Sequence, residues 1–363
     1  MRQADMRPIG NLLDYAPRRY NRRYPTGTTM EAAMRTLLED AAQRAISYLD
    51  ALRERAVRPD PNAVAALVSL DVPLPEGPEL PAAVLAQLDE TCSAATMAMA
   101  GPRFFGFVIG GALPVTLAAN WLAGAWDQNS ALYNVTPATA ELERVALGWL
   151  LDLFELPHES GGGFVTGATM ANFTALAAAR HGVLARAGWN VEADGLIGAP
   201  PITVIVGAEA HPTLFKSLGL LGLGRNRVVR VPVDGRGRLR ADALPPLVGP
   251  AIICAQAGNI NTGDFDPFGE ICTRAREAGA WVHVDGAFGL WASTAPSLRH
   301  LTAGMELADS WATDFHKWLN VPYDSGLALV RDADALRAAM AITAEYLPTA
   351  SEYRNPSDYA PEL

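Results

Sequence analysis

The sequence predicts an α/β fold with a mostly parallel central sheet, preceded by an N-terminal helical extension. From Gly161 onward, short apolar runs alternate with segments that have helical periodicity. The runs are apolar along their whole length, which is typical of strands covered by helices on both faces of a sheet. Conspicuous polar residues follow several of these runs, at the strand ends where open α/β sheets bind ligands.

Residues 1–100 are expected to form the N-terminal helical extension, and residues 101–363 one larger domain. Thr29–Arg53 has apolar residues at helical spacing, and the proline-rich stretches Pro59–Asn62 and Pro73–Pro81 interrupt the helical pattern. An extension of this kind cannot bury its own apolar face well. We therefore expect it to pack on a second subunit.

Two interpretations remain open for the aromatic and glycine-rich stretch Arg103–Pro114. It is either a buried strand and turn, or a pocket wall where the backbone approaches a ligand closely. The following segments, Thr116–Trp126 and Pro137–Glu155, have the pattern of apolar helices.

The larger domain is expected to contain seven strands and the helices that connect them. The predicted strands are Gly161–Gly167, Ile202–Gly207, Val228–Val233, Ala251–Gln256, Trp281–Asp285, Ser310–Phe315 and Gly326–Val330. Helices are expected over Ala168–Ala187, after His211 and over Pro267–Ala278.

Composition and charge exclude several classes of protein. A formal net charge of -10 disfavours nucleic acid and anionic membranes as partners. No apolar run approaches the ~20 residues that span a bilayer, and the N-terminus lacks the apolar core of a signal peptide. Cys92, Cys254 and Cys272 have neither metal-ligand spacing nor the pattern of a disulfide framework. A cytoplasmic protein without a bound metal is expected.

The scarcity of lysine singles out one residue. Of the 29 basic residues, only Lys216 and Lys317 are lysines, and Lys317 lies directly after a predicted strand. A primary amine can form an imine with an aldehyde, whereas the guanidinium of arginine cannot. The alternative is an ordinary surface lysine, or one that neutralises a nearby carboxylate.

The segment Gly161–Phe173 has the composition of an anion-binding turn between a strand and a helix. Its small residues let the free N–H groups of the helix start approach a phosphate, and Thr169 can add a hydroxyl donor. The spacing does not match the P-loop, so a nucleoside triphosphate is disfavoured. Glycine-rich turns without a ligand are the alternative.

His211 and Asp285 each follow or end a predicted strand. His211 either makes only local hydrogen bonds at a helix start or stacks on a planar cofactor. Asp285 ends a very apolar strand, where a carboxylate is costly unless it meets a cation or a strong donor. It is either a satisfied core aspartate or the partner of a protonated pyridine nitrogen. An anion site, a stacking ring, a carboxylate and a lysine together match the needs of pyridoxal phosphate.

At these residues the sequence resembles the group II pyridoxal-phosphate-dependent decarboxylases, which include aromatic amino-acid and glutamate decarboxylases. The matching segments are TPATAELE (Thr136–Glu143), TGATMAN, AGNINTGDFDP, HVDGAFGLWA and DFHKWLNVPYDSG. The resemblance implies a type I aminotransferase-like fold and an obligate homodimer with the active site at the subunit boundary. It also implies decarboxylation of an L-amino acid, with an aromatic one favoured, to the amine and carbon dioxide.

The resemblance implies roles around the cofactor ring for four residues. Lys317 becomes the lysine that holds pyridoxal 5'-phosphate as a Schiff base, and Asp285 pairs with the pyridine nitrogen. His211 stacks on one face of the ring and positions the substrate carboxylate, while Ala287 contacts the opposite face.

It further implies that Ala168 and Thr169 hold the phosphate, with help from His316. Tyr346 falls where the family has a mobile-loop tyrosine that protonates the substrate carbon after carbon dioxide leaves. The alternative for Tyr346 is an ordinary tyrosine at a helix end. Related aldehyde synthases have phenylalanine there, so the tyrosine favours simple decarboxylation.

Several positions depart from the family pattern. Phe107–Gly110 replaces the Tyr-Phe-Pro-Thr run of aromatic decarboxylases, and Asn259 stands where threonine is common, which leaves the substrate open. The sequence ends at Leu363, so the small C-terminal domain of the family is expected to be missing, either because the sequence is a fragment or because the protein lacks that domain. The alternatives are another type I pyridoxal-phosphate enzyme, such as an aminotransferase, a lyase or a decarboxylating aldehyde synthase, or a truncated inactive homologue.

Overall fold

A computed structural model describes residues 30–342 and 353–362, and the chain divides into two compact units between Phe105 and Gly106. The described part of the first unit contains helices α1 (Met30–Ala51), α2 (Pro61–Ala66) and α3 (Pro81–Cys92). Proline opens α2 and α3, where its fixed φ suits the first helical turn. The helix predicted over Thr29–Arg53 is found as α1.

The first unit buries little of its apolar surface. Among its described residues only Leu52 and Ala98 are buried, while side chains of α1 such as Met34 and Leu38 are exposed. This agrees with the expectation that the extension cannot bury its own apolar face. Its packing on a second subunit stays a prediction.

The second unit alternates strands and helices as predicted. Its helices are α4 (Pro114–Trp126), α5 (Pro137–Phe154), α6 (Ala168–Arg186), α7 (Val191–Asp194), α8 (Pro212–Leu220), α9 (Phe268–Glu277) and α10 (Ala333–Met340). Its strands are β1 (Gly161–Val165), β2 (Thr203–Gly207), β3 (Val229–Val231), β4 (Ala251–Gln256), β5 (Trp281–Asp285), β6 (Ser310–Asp314) and β7 (Gly326–Val330).

The seven strands form one sheet in the order β1-β7-β6-β5-β4-β2-β3. Only β7 runs antiparallel to its neighbours, so the prediction of a mostly parallel sheet is confirmed. Alternate side chains of a strand enter separate hydrophobic clusters: Ile253 packs with Phe268 of α9, whereas Ile252 packs with Leu176 of α6. Burial on both faces explains why the strand sequences are apolar throughout.

The sheet register brings the ends of three neighbouring strands to one edge. Asp285 at the end of β5 is paired with Gln256 of β4 and with Ala312 of β6. Two residues separate the end of β1 from the start of the helix α6. Polar residues that are distant in sequence therefore meet at this edge, as expected for an α/β sheet.

The stretch Arg103–Pro114 is irregular, so the strand interpretation of it is wrong. The N–H of Gly110 donates to the carbonyl of His316 (3.2 Å), and a Cβ added at Gly110 would collide with the carbonyl oxygen of Lys317. Phe107 and Val108 have φ of 58° and 54°, a strained conformation for residues with side chains. The backbone lies directly against the turn that carries Lys317, which supports the pocket-wall interpretation.

The segment 353–362 packs back against β1 and α5. The guanidinium of Arg354 donates to Glu143 (2.9 Å) and to the carbonyl of Gly162. Burial raises the pKa of Glu143, and Arg354 opposes this shift. The TPATAELE motif thus contributes a half-buried ion pair that ties α5 to this segment.

We expect Gly289→Ala to lower the free energy of unfolding by at least about 2 kcal/mol. The added Cβ would collide with the backbone carbonyl of Ala257, which cannot move without shifting the end of β4. The measurement is urea unfolding of the purified variant.

The matched control is Gly219→Ala, where an added Cβ meets nothing within 4 Å. Because alanine favours a helix, this variant should be as stable as the parent chain or up to about 1 kcal/mol more stable. Equal stabilities for the two variants would contradict the close packing at Gly289.

Candidate active site

A cavity of about 470 Å³ lies at the carboxyl ends of β4, β5 and β6, beside the start of α6. This volume is in the range of small-molecule sites. Every predicted site residue that the structure describes lines the cavity: Ala168, Thr169, His211, Asp285, Ala287, His316 and Lys317. Tyr346 lies outside the described residues, and its role stays a prediction.

The amine of Lys317 lies 2.9 Å from Oδ2 of Asp314, the last residue of β6. Oδ1 of the same carboxylate accepts the N–H of Ala168 (2.5 Å) and lies 3.5 Å from Nε2 of His316. Lys317 therefore neutralises a nearby carboxylate, which was the alternative to its forming an imine. Both groups, however, line the cavity. Asp314 is not among the residues predicted from the sequence. The sequence feature that could have identified Asp314 is an acidic residue at the end of a predicted strand, three positions before the lysine.

The start of α6 forms one wall of the cavity. Its first N–H, that of Ala168, is engaged by Asp314, while Thr169 and Thr166 line the space beside it. The backbone here is tightly packed, because a Cβ added at Gly326 would lie 2.6 Å from Cα of Gly167. The N-terminus of a helix of this length attracts an anion.

His316 carries a buried nitrogen, Nδ1, that has no hydrogen-bond partner among the residues that the structure describes. Burial lowers the pKa of His316, and the nearby Asp314 opposes this shift. The ring stacks on Tyr323 with centroids 4.0 Å apart, which fixes its plane. A neutral imidazole with an unpaired nitrogen can serve a ligand as donor or acceptor.

His211 caps the N-terminus of α8 and also lines the cavity. Its Nδ1 lies 2.7 Å from Oγ1 of Thr213 and accepts the N–H of that residue (3.4 Å). Because Nδ1 accepts, the proton of the neutral ring is on Nε2. His211 therefore makes local hydrogen bonds and also faces the cavity. Its stacking on a cofactor stays a prediction.

Asp285 is 5% exposed, and both of its oxygens have donors. Oδ1 accepts the N–H of Ala287 and Oδ2 the amide of Asn172, each at 3.2 Å. Burial raises the pKa of Asp285; the Ala287 N–H, His211, Lys317 and Asn172 oppose this shift. A protonated pyridine nitrogen beside Asp285 would add a positive charge, which would lower the pKa of Asp285 in the same direction as these donors.

A chain of hydrogen bonds extends from Asp285 into the core and was not predicted from the sequence. Oδ1 of Asn172 lies 2.8 Å from Nε2 of His283, and Nδ1 of His283 lies 2.9 Å from Oγ of Ser310. The indole N–H of Trp281 donates to the same Oγ (2.9 Å). Burial lowers the pKa of His283 to about 3. The only sequence signal is a histidine two residues before Asp285 in an otherwise apolar strand.

These side chains fit pyridoxal phosphate, the cofactor predicted from the sequence. Lys317 offers a primary amine, Asp285 a buried carboxylate, and the start of α6 with His316 offers groups for a phosphate. The small residues Ala287 and Gly258 leave room for a planar ring. The charge of Asp314, at the start of α6, opposes a phosphate there, and Lys317 at 2.9 Å offsets it.

Comparison with known proteins supports the same family. Tryptophan decarboxylase 1 of Oryza sativa subsp. japonica is 30% identical over 270 residues, which cover 68% of this chain and 52% of that protein. Acidic amino acid decarboxylase GADL1 of Bos taurus is 30% identical over 255 residues, which cover 68% of this chain and 48% of that protein. The chain thus spans about half the length of these curated relatives.

The fold is shared with solved structures. The crystal structure of Oryza sativa TDC with PLP and tryptamine matches with a TM-score of 0.81 at 24% identity, over 93% of this chain and 72% of that one. The prediction of a type I aminotransferase-like fold is thereby confirmed. The model of the pyridoxal-dependent decarboxylase conserved domain matches residues 61–360. This match covers most of the chain and shows that the chain belongs to the group II pyridoxal-phosphate-dependent decarboxylases.

Proposed function

We propose that this chain decarboxylates an L-amino acid, with an aromatic one favoured, to the amine and carbon dioxide. One observation carries the proposal. The amine of Lys317, the carboxylate of Asp285, the ring of His211 and the start of α6 all line one cavity at the edge of the sheet. These are the groups that an amino-acid decarboxylase of this family needs for pyridoxal phosphate.

When bound, the cofactor supplies an aldehyde that condenses with amines and a ring that takes up the electron pair left by the departing carboxylate. Lys317 anchors it, which requires the amine to lose a proton. Oδ2 of Asp314 lies 2.9 Å from this amine and can accept that proton. Asp285, as an anion, holds a proton on the ring nitrogen.

Other residues bind and orient. Thr169 and His316 would contact the phosphate together with the backbone N–H of Ala168, which the phosphate would share with Asp314. His211 would stack on one face of the cofactor ring, and Ala287 would contact the other face. Tyr346 returns a proton to the substrate carbon, which favours the amine over an aldehyde as product.

The charge of the cavity supports an aromatic over an acidic substrate. Among the described residues that line it, Lys317 is the one lysine or arginine, and three aspartates line it as well: Asp285, Asp314 and Asp324. An acidic side chain would find no free cation there. Phe107 and Phe288 offer apolar surface to an aromatic ring.

We also propose that the chain works as a cytoplasmic homodimer. Large apolar side chains are exposed along α4 and α5, including Trp121, Trp126 and Trp149, and a second copy would cover them. In the ranges 30–342 and 353–362, no helix has the length and apolarity to cross a membrane. The three cysteines are unpaired, as is usual in a reducing compartment.

The central experiment is incubation of the chain with pyridoxal phosphate and a pool of L-amino acids, with carbon dioxide and products identified by mass spectrometry. We expect the amine of an aromatic amino acid. Turnover of only acidic amino acids would contradict the substrate assignment. A keto acid or an aldehyde as product, or no turnover at all, would contradict the reaction proposed.

We expect Lys317→Ala to abolish the visible absorbance of the bound cofactor, at about 420 nm, because the covalent link to the amine is lost. The chain offers a matched control, Lys216→Ala, since Lys216 is the other lysine and is exposed on α8. Borohydride reduction followed by peptide mass spectrometry should place the cofactor on Lys317 alone. Label on Lys216, or an unchanged band in Lys317→Ala, would contradict the assignment.

We expect Asp314→Asn to tighten binding of 4'-deoxypyridoxine 5'-phosphate, which has the phosphate but no aldehyde, by about tenfold. The substitution removes a negative charge that lies on the first N–H of α6. The measurement is titration calorimetry.

The control for this prediction is Asp324→Asn, which removes the same charge from the cavity lining at another position. It should change the affinity less than Asp314→Asn does. Weaker binding by Asp314→Asn would show that this carboxylate supports the phosphate site instead of competing with it.

A further inference from the structure

We propose that Asn172, His283 and Ser310 form a hydrogen-bond relay that holds Asp285 as an anion and orients it toward the cavity. All three are positioning residues, because they act on the cofactor through Asp285. The relay affects catalysis only if the proposed function is correct, on which it rests. Its arrangement of protons, however, can be tested without any cofactor.

The relay crosses three elements of the fold. Asn172 belongs to α6, His283 to β5 and Ser310 to β6, and all three are completely buried. Their contacts run from Oδ2 of Asp285 (3.2 Å) through Asn172 and His283 (2.8 Å) to Ser310 (2.9 Å). Ser310 is the last member of the relay, and its Oγ also accepts the indole N–H of Trp281 (2.9 Å).

The two ends of the relay determine its direction. An indole N–H can only donate, and an ionised carboxylate can only accept. Asn172 must therefore present its NH₂ group to Asp285 and its oxygen to Nε2 of His283. Nε2 must then carry the proton of the neutral imidazole, so that Nδ1 accepts the hydroxyl hydrogen of Ser310. Each contact in this arrangement then pairs one donor with one acceptor.

A protonated Asp285 leads to a poorer arrangement. If its O–H donated to Asn172, the amide would turn around and His283 would carry its proton on Nδ1. Ser310 would then receive both the indole N–H and the imidazole N–H, and its own hydrogen would have no acceptor among these partners. A buried donor without a partner is costly. The relay therefore opposes protonation of Asp285 at Oδ2, the oxygen that Asn172 contacts.

This preference opposes the effect of burial. Burial raises the pKa of Asp285, while the Ala287 N–H, His211, Lys317 and Asn172 act against it. His211 and Lys317 face the cavity, where a substrate or a cofactor changes their contacts. The relay lies behind Asp285 in the core, so its contribution does not change when ligands enter or leave.

The first test uses the chain without cofactor. In NMR spectra of protein with ¹⁵N-labelled histidine at neutral pH, His283 should be neutral with its proton on Nε2. Its signals are those that disappear in His283→Gln, among the six histidines of the chain. A proton on Nδ1, or on both nitrogens, would overturn the relay.

The second test measures the ring nitrogen of bound pyridoxal phosphate that carries ¹⁵N at that position. Asn172→Ala removes the donor to Asp285 and should shift the protonation equilibrium of the ring nitrogen toward the neutral form by about tenfold. Ser310→Ala, which leaves both tautomers of His283 open, should shift it in the same direction by a smaller factor. Because two variants report on the relay, failure of one to fold does not end the test.

The control is Ser293→Ala, which removes another buried serine hydroxyl whose bond is to the carbonyl of Leu290. It should leave the ¹⁵N signal of the cofactor ring unchanged, because the hydrogen bond that it removes is not part of the relay to Asp285. If Asn172→Ala and Ser310→Ala bind the cofactor with parental ring protonation, the relay proposal is wrong even if decarboxylation is found. If the parent chain does not bind the cofactor, the proposed function fails, and the tautomer of His283 alone decides on the relay.

Discussion

A carboxylate buried at the end of a strand is the constraint on which this site depends. Burial favours the neutral form of Asp285, whereas a partner for a protonated ring nitrogen must be an anion. The fold meets this conflict with donors on both oxygens, from Ala287 and Asn172. Because Asn172 belongs to α6, the charge of Asp285 depends on how that helix packs on the sheet. The same packing brings the start of the helix to the cavity.

Two aspartates at the ends of neighbouring strands have different environments and hence different tasks. Asp314 already has a cation, Lys317, and a backbone donor, Ala168. Asp285 has neutral donors within hydrogen-bond distance, so it is the aspartate that a cationic ring nitrogen would complete. Pairs of titratable groups whose surroundings differ in this way are typical of catalytic sites.

The wall of the cavity opposite the sheet edge is held by backbone contacts. Asn320 accepts the N–H of Gly111 through its side chain (2.8 Å) and the N–H of Leu113 through its carbonyl (2.9 Å). Since Asn320 follows Lys317 by three residues, the wall and the lysine turn form one packed unit. Changes of side chain at Phe107 and Val108 can therefore alter the substrate surface without moving the lysine.

Local patterns in the sequence were sufficient to predict most of the fold. Continuous apolar runs predicted all seven strands, and helical periodicity predicted most of the helices around them, though not the short helices α7 and α10, because burial on one or two faces repeats at a regular spacing in the sequence. The rarity of lysine and the small-residue turn before α6 identified two sides of the cavity by chemistry alone. For these features no knowledge of distant neighbours was needed.

The tertiary structure alone decided which polar groups meet. Asn172 and Asp285 are 113 residues apart, and Ala168 and Asp314 are 146 apart, yet each pair is hydrogen-bonded. These contacts follow from the order of the strands and from the position of α6 on the sheet. The apolar periodicity of the sequence encodes neither feature. The sequence by itself therefore determined most of the elements and the family, and it singled out Lys317 as the candidate lysine. The partners that set the charge and orientation of the site arise only when the sheet assembles.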